Sequence, residues 1–220
     1  MEIINFSTTP SIMSRYLREL RDVSIQHDPM RFRLNLARIG EIMAYEISKR
    51  LSYVQEKVET PLGHAICQEI SDKVVIATIL RAGLPFHHGF LNYFDRAENA
   101  FVSAYRRYRE RSESFEVLVE YMASPTLDGK TLILVDPMLA TGSSMELGYR
   151  ALLQKGTPKK IHVCSVIASR QAIEYVCKVF PEEITTVWTG AIDPEINSRS
   201  FIIPGLGDAG DLAYGMKDEK

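Results

Sequence analysis

Short apolar runs at residues 74–80, 100–104, 132–135, 163–168 and 184–187 alternate with helical stretches near 86–94, 145–155 and 170–180. A strand, a helix and a second strand of the same sheet connect by a right-handed crossover. The alternation therefore restricts the chain to an α/β architecture with a mainly parallel sheet. Ligands of such sheets collect at the carboxyl ends of the strands, where Arg81, Asp136 and Ser169 stand. Phe32, Leu36, Ile39, Met43 and Ile47 recur at helical spacing and predict an amphipathic helix over 31–51 that packs on the rest. Phe115, Val117, Val119 and Tyr121 alternate with Glu116, Leu118, Glu120 and Met122, the period of a half-exposed strand. With the charged stretch 106–113 before it, this strand reads as an exposed hairpin or flap able to cover a bound ligand.

A chain of 220 residues, 45% hydrophobic and 25% charged, suits one compact domain with a core large enough to enclose a substrate site. The net charge of −2 gives no global attraction to nucleic acid or to an anionic membrane. Cys67, Cys164 and Cys177 are odd in number and far apart, without the spacing of a disulfide framework or a zinc site, so a reducing cytoplasm is the simplest home. The N-terminal segment has no basic start, and nowhere do about 18 apolar residues run together.

The most informative strand end lies at 131–145. There an apolar run stops on Asp136 and enters the small, hydroxyl-rich loop Thr141, Gly142, Ser143 and Ser144 before a helical segment. Exposed amides at a helix N-terminus, with hydroxyls beside them, suit a phosphate dianion. Asp136 cannot serve that phosphate; sugar hydroxyls or a divalent cation are the fitting partners. A phosphorylated sugar is the ligand this order of residues proposes. Two look-alikes fall away. Gly129-Lys130-Thr131 has the tail of a P-loop, but Ser124 occupies the required glycine position and the triplet precedes its strand. Residues 205–210 spell a dinucleotide fingerprint, yet only ten residues follow Gly210, too few for the helix, second strand and ribose-binding acid of that motif.

Arg81 begins a small-residue turn, Arg81-Ala82-Gly83, at another strand end and is a candidate anion ligand; the plainer reading is a solvated arginine. Arg106, Arg107, Arg109 and Arg111, interleaved with Tyr105 and Tyr108, suit diphosphate or single-stranded RNA, against a merely solvated hairpin. His87-His88 lacks metal-ligand spacing and reads as helix surface or core, and Trp188 reads as core. The glycine-rich tail 201–211 has almost no cationic charge. Its backbone can approach a flat heterocycle closely and match a pyrimidine edge while Ile202 packs against it, against the alternative of a plain loop.

Taken together, residues 79–84, 135–142 and 202–211 resemble the uracil phosphoribosyltransferases, in order and over nearly the whole chain. The resemblance implies a type I phosphoribosyltransferase fold: a single domain over 1–220, with a parallel core at about 70–190 and a small hood from 1–70 and 190–220. It implies conversion of uracil and 5-phosphoribosyl 1-diphosphate to UMP and diphosphate, in a homodimer or larger oligomer. By the same resemblance Asp136, Pro137, Met138, Leu139, Ala140, Thr141, Gly142, Ser143 and Ser144 bind the sugar donor, with Asp136 on the ribose hydroxyls. Arg81 and a flap arginine hold the diphosphate. Counting forward from Arg81 selects Arg106, which is favoured, and counting back from Asp136 selects Arg109. Ile202, Gly207, Asp208 and Ala209 form the uracil pocket. Mg²⁺ enters with the diphosphate, and Asp208 contacts the donor through the metal and its water shell. Pro85 and Phe86 depart from the family pattern and are expected to alter the outer wall of the diphosphate turn, whereas Ser143, in place of a common glycine, is tolerated if its φ is negative. The remaining alternatives are an RNA-binding pyrimidine regulator on the same fold and a phosphoribosyltransferase for another base.

Overall fold

The computed structural model describes residues 1–108 and 115–217, with backbone only at 104–108 and 115–119. The first elements are β1 (Glu2–Asn5), α1 (Ile12–Arg21) and α2 (Pro29–Ser48). Their starts are written locally. Ser11 and Ser14 form a reciprocal capping box before α1, and Asp28 accepts the Met30 and Arg31 N–H groups with Pro29 in the first turn of α2. An antiparallel hairpin follows, β2 (Tyr53–Thr60) and β3 (Gly63–Ile70), mostly exposed on both strands. The alternating part comprises β4 (Val74–Leu80), α3 (Gly83–Leu91), β5 (Glu98–Tyr108), β6 (Phe115–Ala123), β7 (Thr131–Val135), β8 (Met138–Leu139), α4 (Ser143–Leu152), β9 (Lys160–Ser169), α5 (Arg170–Val179) and β10 (Thr185–Asp193). The chain closes with β11 (Glu195–Ile196), β12 (Ile202–Ile203) and α6 (Ala209–Tyr214).

Among the described residues the main sheet runs β1-β10-β9-β7-β4-β5-β6, with β8 joined to β9. Every pairing in it is parallel except β5 with β6. Successive residues of the central strands go to opposite faces, and both faces are covered. Ile76, Ile133, Val135, Val166 and Trp188 pack with α1, α2, α3 and the 202–213 segment. Val75, Ala77, Leu132, Leu134 and Val163 pack with α4 and α5. Each fully buried aliphatic side chain contributes about 1.5–3 kcal/mol, so this two-sided burial fixes the strand register.

Several boundaries differ from those the sequence suggests. The turn after Arg81 is the first turn of α3, which starts at Gly83. Pro85 fits there because its missing N–H falls in the helix's first turn. Pro85 and Phe86 are therefore not an outer wall: both are buried, and Phe86 meets Phe90 edge to face. β10 begins one residue after Ile184, which closes a 3-10 turn, and continues to Asp193. The tail is not only loop, since α6 forms within it. His87 is buried and His88 exposed, so both expected roles occur on one helix.

Trp188 is core, and its indole N–H donates to Nδ1 of His162 at 3.1 Å. That bond leaves the imidazole proton on Nε2, a buried nitrogen without a partner among the described residues. Burial pushes the His162 pKa down to about 4. An unfolded imidazole titrates near its ordinary value of 6.5, so the folded protein holds its full stability above that pH and loses it as the pH falls towards 4. The expected loss is about 3 kcal/mol. Urea denaturation between pH 7 and 4 should show a shallower decline in His162→Asn than in the parent protein. Equal declines would remove His162 as the source.

Candidate functional site

β7 is buried at every position, which drives the chain straight to the carboxyl edge of the sheet and delivers Asp136 there. The loop beyond is stitched to β9. The Asp136 N–H donates to the Cys164 carbonyl at 3.1 Å, the Pro137 carbonyl accepts from Val166 and Ile167 at 3.1 and 3.0 Å, and β8 pairs alongside. Oδ1 of Asp136 accepts the Met138 N–H at 3.1 Å. Ser169 ties down the middle of the loop: its hydroxyl donates to the Ala140 carbonyl at 2.5 Å and accepts the Ala172 N–H at 2.9 Å.

Gly142 precedes α4 with φ of +84° and no side-chain cap. The first N–H groups of α4 are thus turned towards the loop, beside the Thr141 and Ser143 hydroxyls, which lie 2.6 Å apart. Ser143 is the first helical residue and is not among the positive-φ positions, so serine is accommodated there as expected. Asp136, Met138, Leu139, Ala140, Thr141, Gly142, Ser144 and Met145 line a pocket. An anion with hydroxyls matches a lining that combines backbone amides, hydroxyls and a carboxylate.

The loop has a wall the sequence did not disclose. A Cβ on Gly142 would stand 2.7 Å from Cδ1 of Tyr175 on α5. The Tyr175 hydroxyl donates to Glu146 in the first turn of α4, and Arg150 Nε donates to the same carboxylate at 2.8 Å. The hydroxyl and Arg150 hold the Glu146 carboxyl below its ordinary range, and Glu146 in turn raises the Tyr175 phenol. Glu146 and Arg150 are an i,i+4 pair on α4, but only spatial proximity brings Tyr175 to them.

At the end of β4 the Leu80–Arg81 peptide is cis, and Gly83 has no space for a Cβ, which would lie 2.1 Å from Oγ1 of Thr78. The Arg81 guanidinium does not project freely into water. Its Nη2 donates to Oδ1 of Asp211 at 3.4 Å and to the Gly215 carbonyl at 3.5 Å, while Nε is buried without a partner among the described residues. Asp208 caps α6 by accepting the Asp211 N–H at 3.0 Å, and Arg33 of α2 donates to the Ala213 carbonyl at 2.6 Å. Ile202 is buried. β4 and β7 pair in parallel, so Arg81 and Asp136 follow their strands at the same edge of the sheet. The Arg81 bond to Asp211 brings the 202–211 segment there as well, and the three segments singled out in the sequence converge.

Arg106 lies on β5 opposite Val117 of β6, in the part described by backbone only, and Arg109 lies outside the described residues. Among the described residues no cluster of His, Cys, Asp and Glu could hold a metal by itself, and no helix is long and apolar enough to cross a membrane.

A profile of the uracil phosphoribosyltransferases matches residues 8–216. The chain belongs to that family. A uracil phosphoribosyltransferase of Porphyromonas gingivalis is 60% identical over 217 residues, covering 99% of this chain and 100% of the relative. One of Methanothermobacter thermautotrophicus is 40% identical, covering 87% of each. The solved structure of the AQ2163 protein from Aquifex aeolicus superposes with a TM-score of 0.86 at 27% identity, covering 98% of this chain and 99% of that one. The helix-flanked, mainly parallel sheet is the α/β architecture expected from the residue pattern.

Proposed function

We propose that this chain is a uracil phosphoribosyltransferase, in which uracil N1 displaces diphosphate from C1 of 5-phosphoribosyl 1-diphosphate, with inversion, and UMP is formed. The observation that carries this reading is the convergence of the Asp136 loop, the Arg81 turn and the 202–211 segment at the carboxyl edge of one mainly parallel sheet. The α4 amides, with Thr141, Ser143 and Ser144, receive the 5-phosphate. Asp136 accepts from the ribose hydroxyls. Arg81, with Arg106 from the flap strand, takes the departing diphosphate. Ile202, Gly207, Asp208 and Ala209 frame the base.

Bond breaking at C1 runs ahead of attack, so positive charge builds on the ribose ring and negative charge on the leaving group. Catalysis is then alignment of two bound reactants plus stabilisation of the charge on the departing diphosphate. Mg²⁺ normally binds through one or two carboxylates, water and substrate phosphates. The exposed Asp208 carboxylate beside the Arg81–Asp211 pair fits that pattern, and the ion would neutralise diphosphate charge. Residues 194–217 with part of 1–70 serve as the hood, β1, α1 and α2 belonging to the sheet and its packed face, and the enzyme works as a cytoplasmic homo-oligomer. The RNA-regulator alternative is not favoured, because the family match and the curated relatives name the enzyme. Diphosphate release measured with uracil, cytosine, orotate, hypoxanthine and xanthine tests the reading. Turnover is expected with uracil alone; inactivity with uracil would sink it, and preference for a purine would reassign the base.

A further inference from the structure

We infer that Arg21 and Asp193, which lie in none of the three segments that mark the site, are positioning residues for the base-binding loop. Asp193 is the last residue of β10, at the carboxyl edge of the sheet, and Arg21 is the last residue of α1. Their side chains form a two-pronged pair, with Nη1 on Oδ2 and Nη2 on Oδ1, both at 2.7 Å. The pair does more than neutralise itself. Oδ2 of Asp193 accepts the Gly205 N–H at 2.9 Å, and Nη1 of Arg21 donates to the Gly205 carbonyl at 3.0 Å. Both polar groups of one residue are thereby captured by a single ion pair.

Gly205 stands midway between Ile202 and Gly207, and its backbone has little freedom. Its φ is +58°, and a Cβ would lie 2.1 Å from the Ile202 carbonyl oxygen. Asp193 is 5% exposed, so water does not loosen the hold. Apolar packing would fill that space with less desolvation cost than a buried ion pair. Packing, however, cannot supply a donor and an acceptor at fixed positions, which a guanidinium–carboxylate fork does. A segment that reads a planar base through its own backbone must keep those groups still, because a small displacement breaks the hydrogen-bond match. Neither residue belongs to the phosphate-loop pocket. The effect should therefore fall on the base and spare the sugar donor.

This inference rests on the proposed function for its kinetic arm only. The first readout needs no substrate: amide hydrogen exchange in Arg21→Met should speed up at 205–208 while β9 and the first half of β10 keep their protection. In steady-state assays the KM for uracil should rise more than tenfold in Arg21→Met, with the KM for the sugar donor within twofold. Arg21→Lys, which keeps the charge but not the fork, should fall between. Asp193→Asn keeps an acceptor for the Gly205 N–H and should be milder than Asp193→Ala. A lowered melting temperature with both KM values unchanged, or raised in parallel, would reduce the pair to a structural brace and overturn the inference. Unchanged exchange at 205–208 would overturn it as well, whatever the base. A parent protein inactive on uracil would instead strike the proposed function and leave the exchange result to decide the loop.

Discussion

Asp136→Asn is expected to lower kcat/KM for the sugar donor by about 10²–10³ while the melting temperature stays within a few degrees. Hydrogen bonds from ribose hydroxyls to a carboxylate contribute about 1.5–3 kcal/mol each, and an amide recovers only part of that. The fold should tolerate the change. The amide oxygen of asparagine can still accept the Met138 N–H that Oδ1 now accepts, and the Asp136 and Pro137 backbone bonds to β9 do not involve the side chain. The direction of the effect matters more than its size. If Asp136 merely sat beside an anion, removing its negative charge would tighten the phosphorylated donor. A fall in donor use therefore assigns it the hydroxyls, and a rise or near-native kinetics would remove it from the mechanism. Steady-state kinetics with varied donor, alongside circular-dichroism melts, decide between them.

How far the site could be read in advance depended on how local its chemistry is. The Asp136 to Ser144 segment was legible because strand, acid, small residues and helix follow one another within a few positions. The sheet was legible because both faces are buried, so strands such as 74–80 and 131–135 are apolar apart from one threonine each. The hairpin at 53–70 was not: its strands are mostly exposed and carry no burial period. α6 escaped for a different reason. It has only six residues, one of them Gly210, and it depends on distant anchors such as the Arg33 bond to the Ala213 carbonyl. Arg81 stood out at its strand end, but its partner Asp211 lies 130 residues away. Separation in sequence likewise hides Tyr175 behind Gly142 and Arg21 behind Gly205.

Gly142→Ala should be the second large effect, and it separates two ways in which a glycine can be required. An L-residue at φ of +84° costs about 1–2 kcal/mol, a term that no neighbour can relieve. The second term is contact: the new methyl would stand 2.7 Å from a Tyr175 ring that Glu146 holds by its hydroxyl and Arg150 steadies through Glu146. The ring cannot swing away without breaking that chain, so the loop moves instead and the first amides of α4 lose their aim. Together the terms amount to about 2–4 kcal/mol. Part of that appears as lowered stability and part as a donor KM raised roughly tenfold to a hundredfold. Removing the ring relieves only the contact. Gly142→Ala with Tyr175→Ala should therefore recover some of the donor affinity lost in Gly142→Ala alone, leaving a residue of backbone strain. Strictly additive losses in this double-mutant cycle would show that Tyr175 does not set the loop. An unchanged donor KM in the single variant would show that the loop does not hold the phosphate.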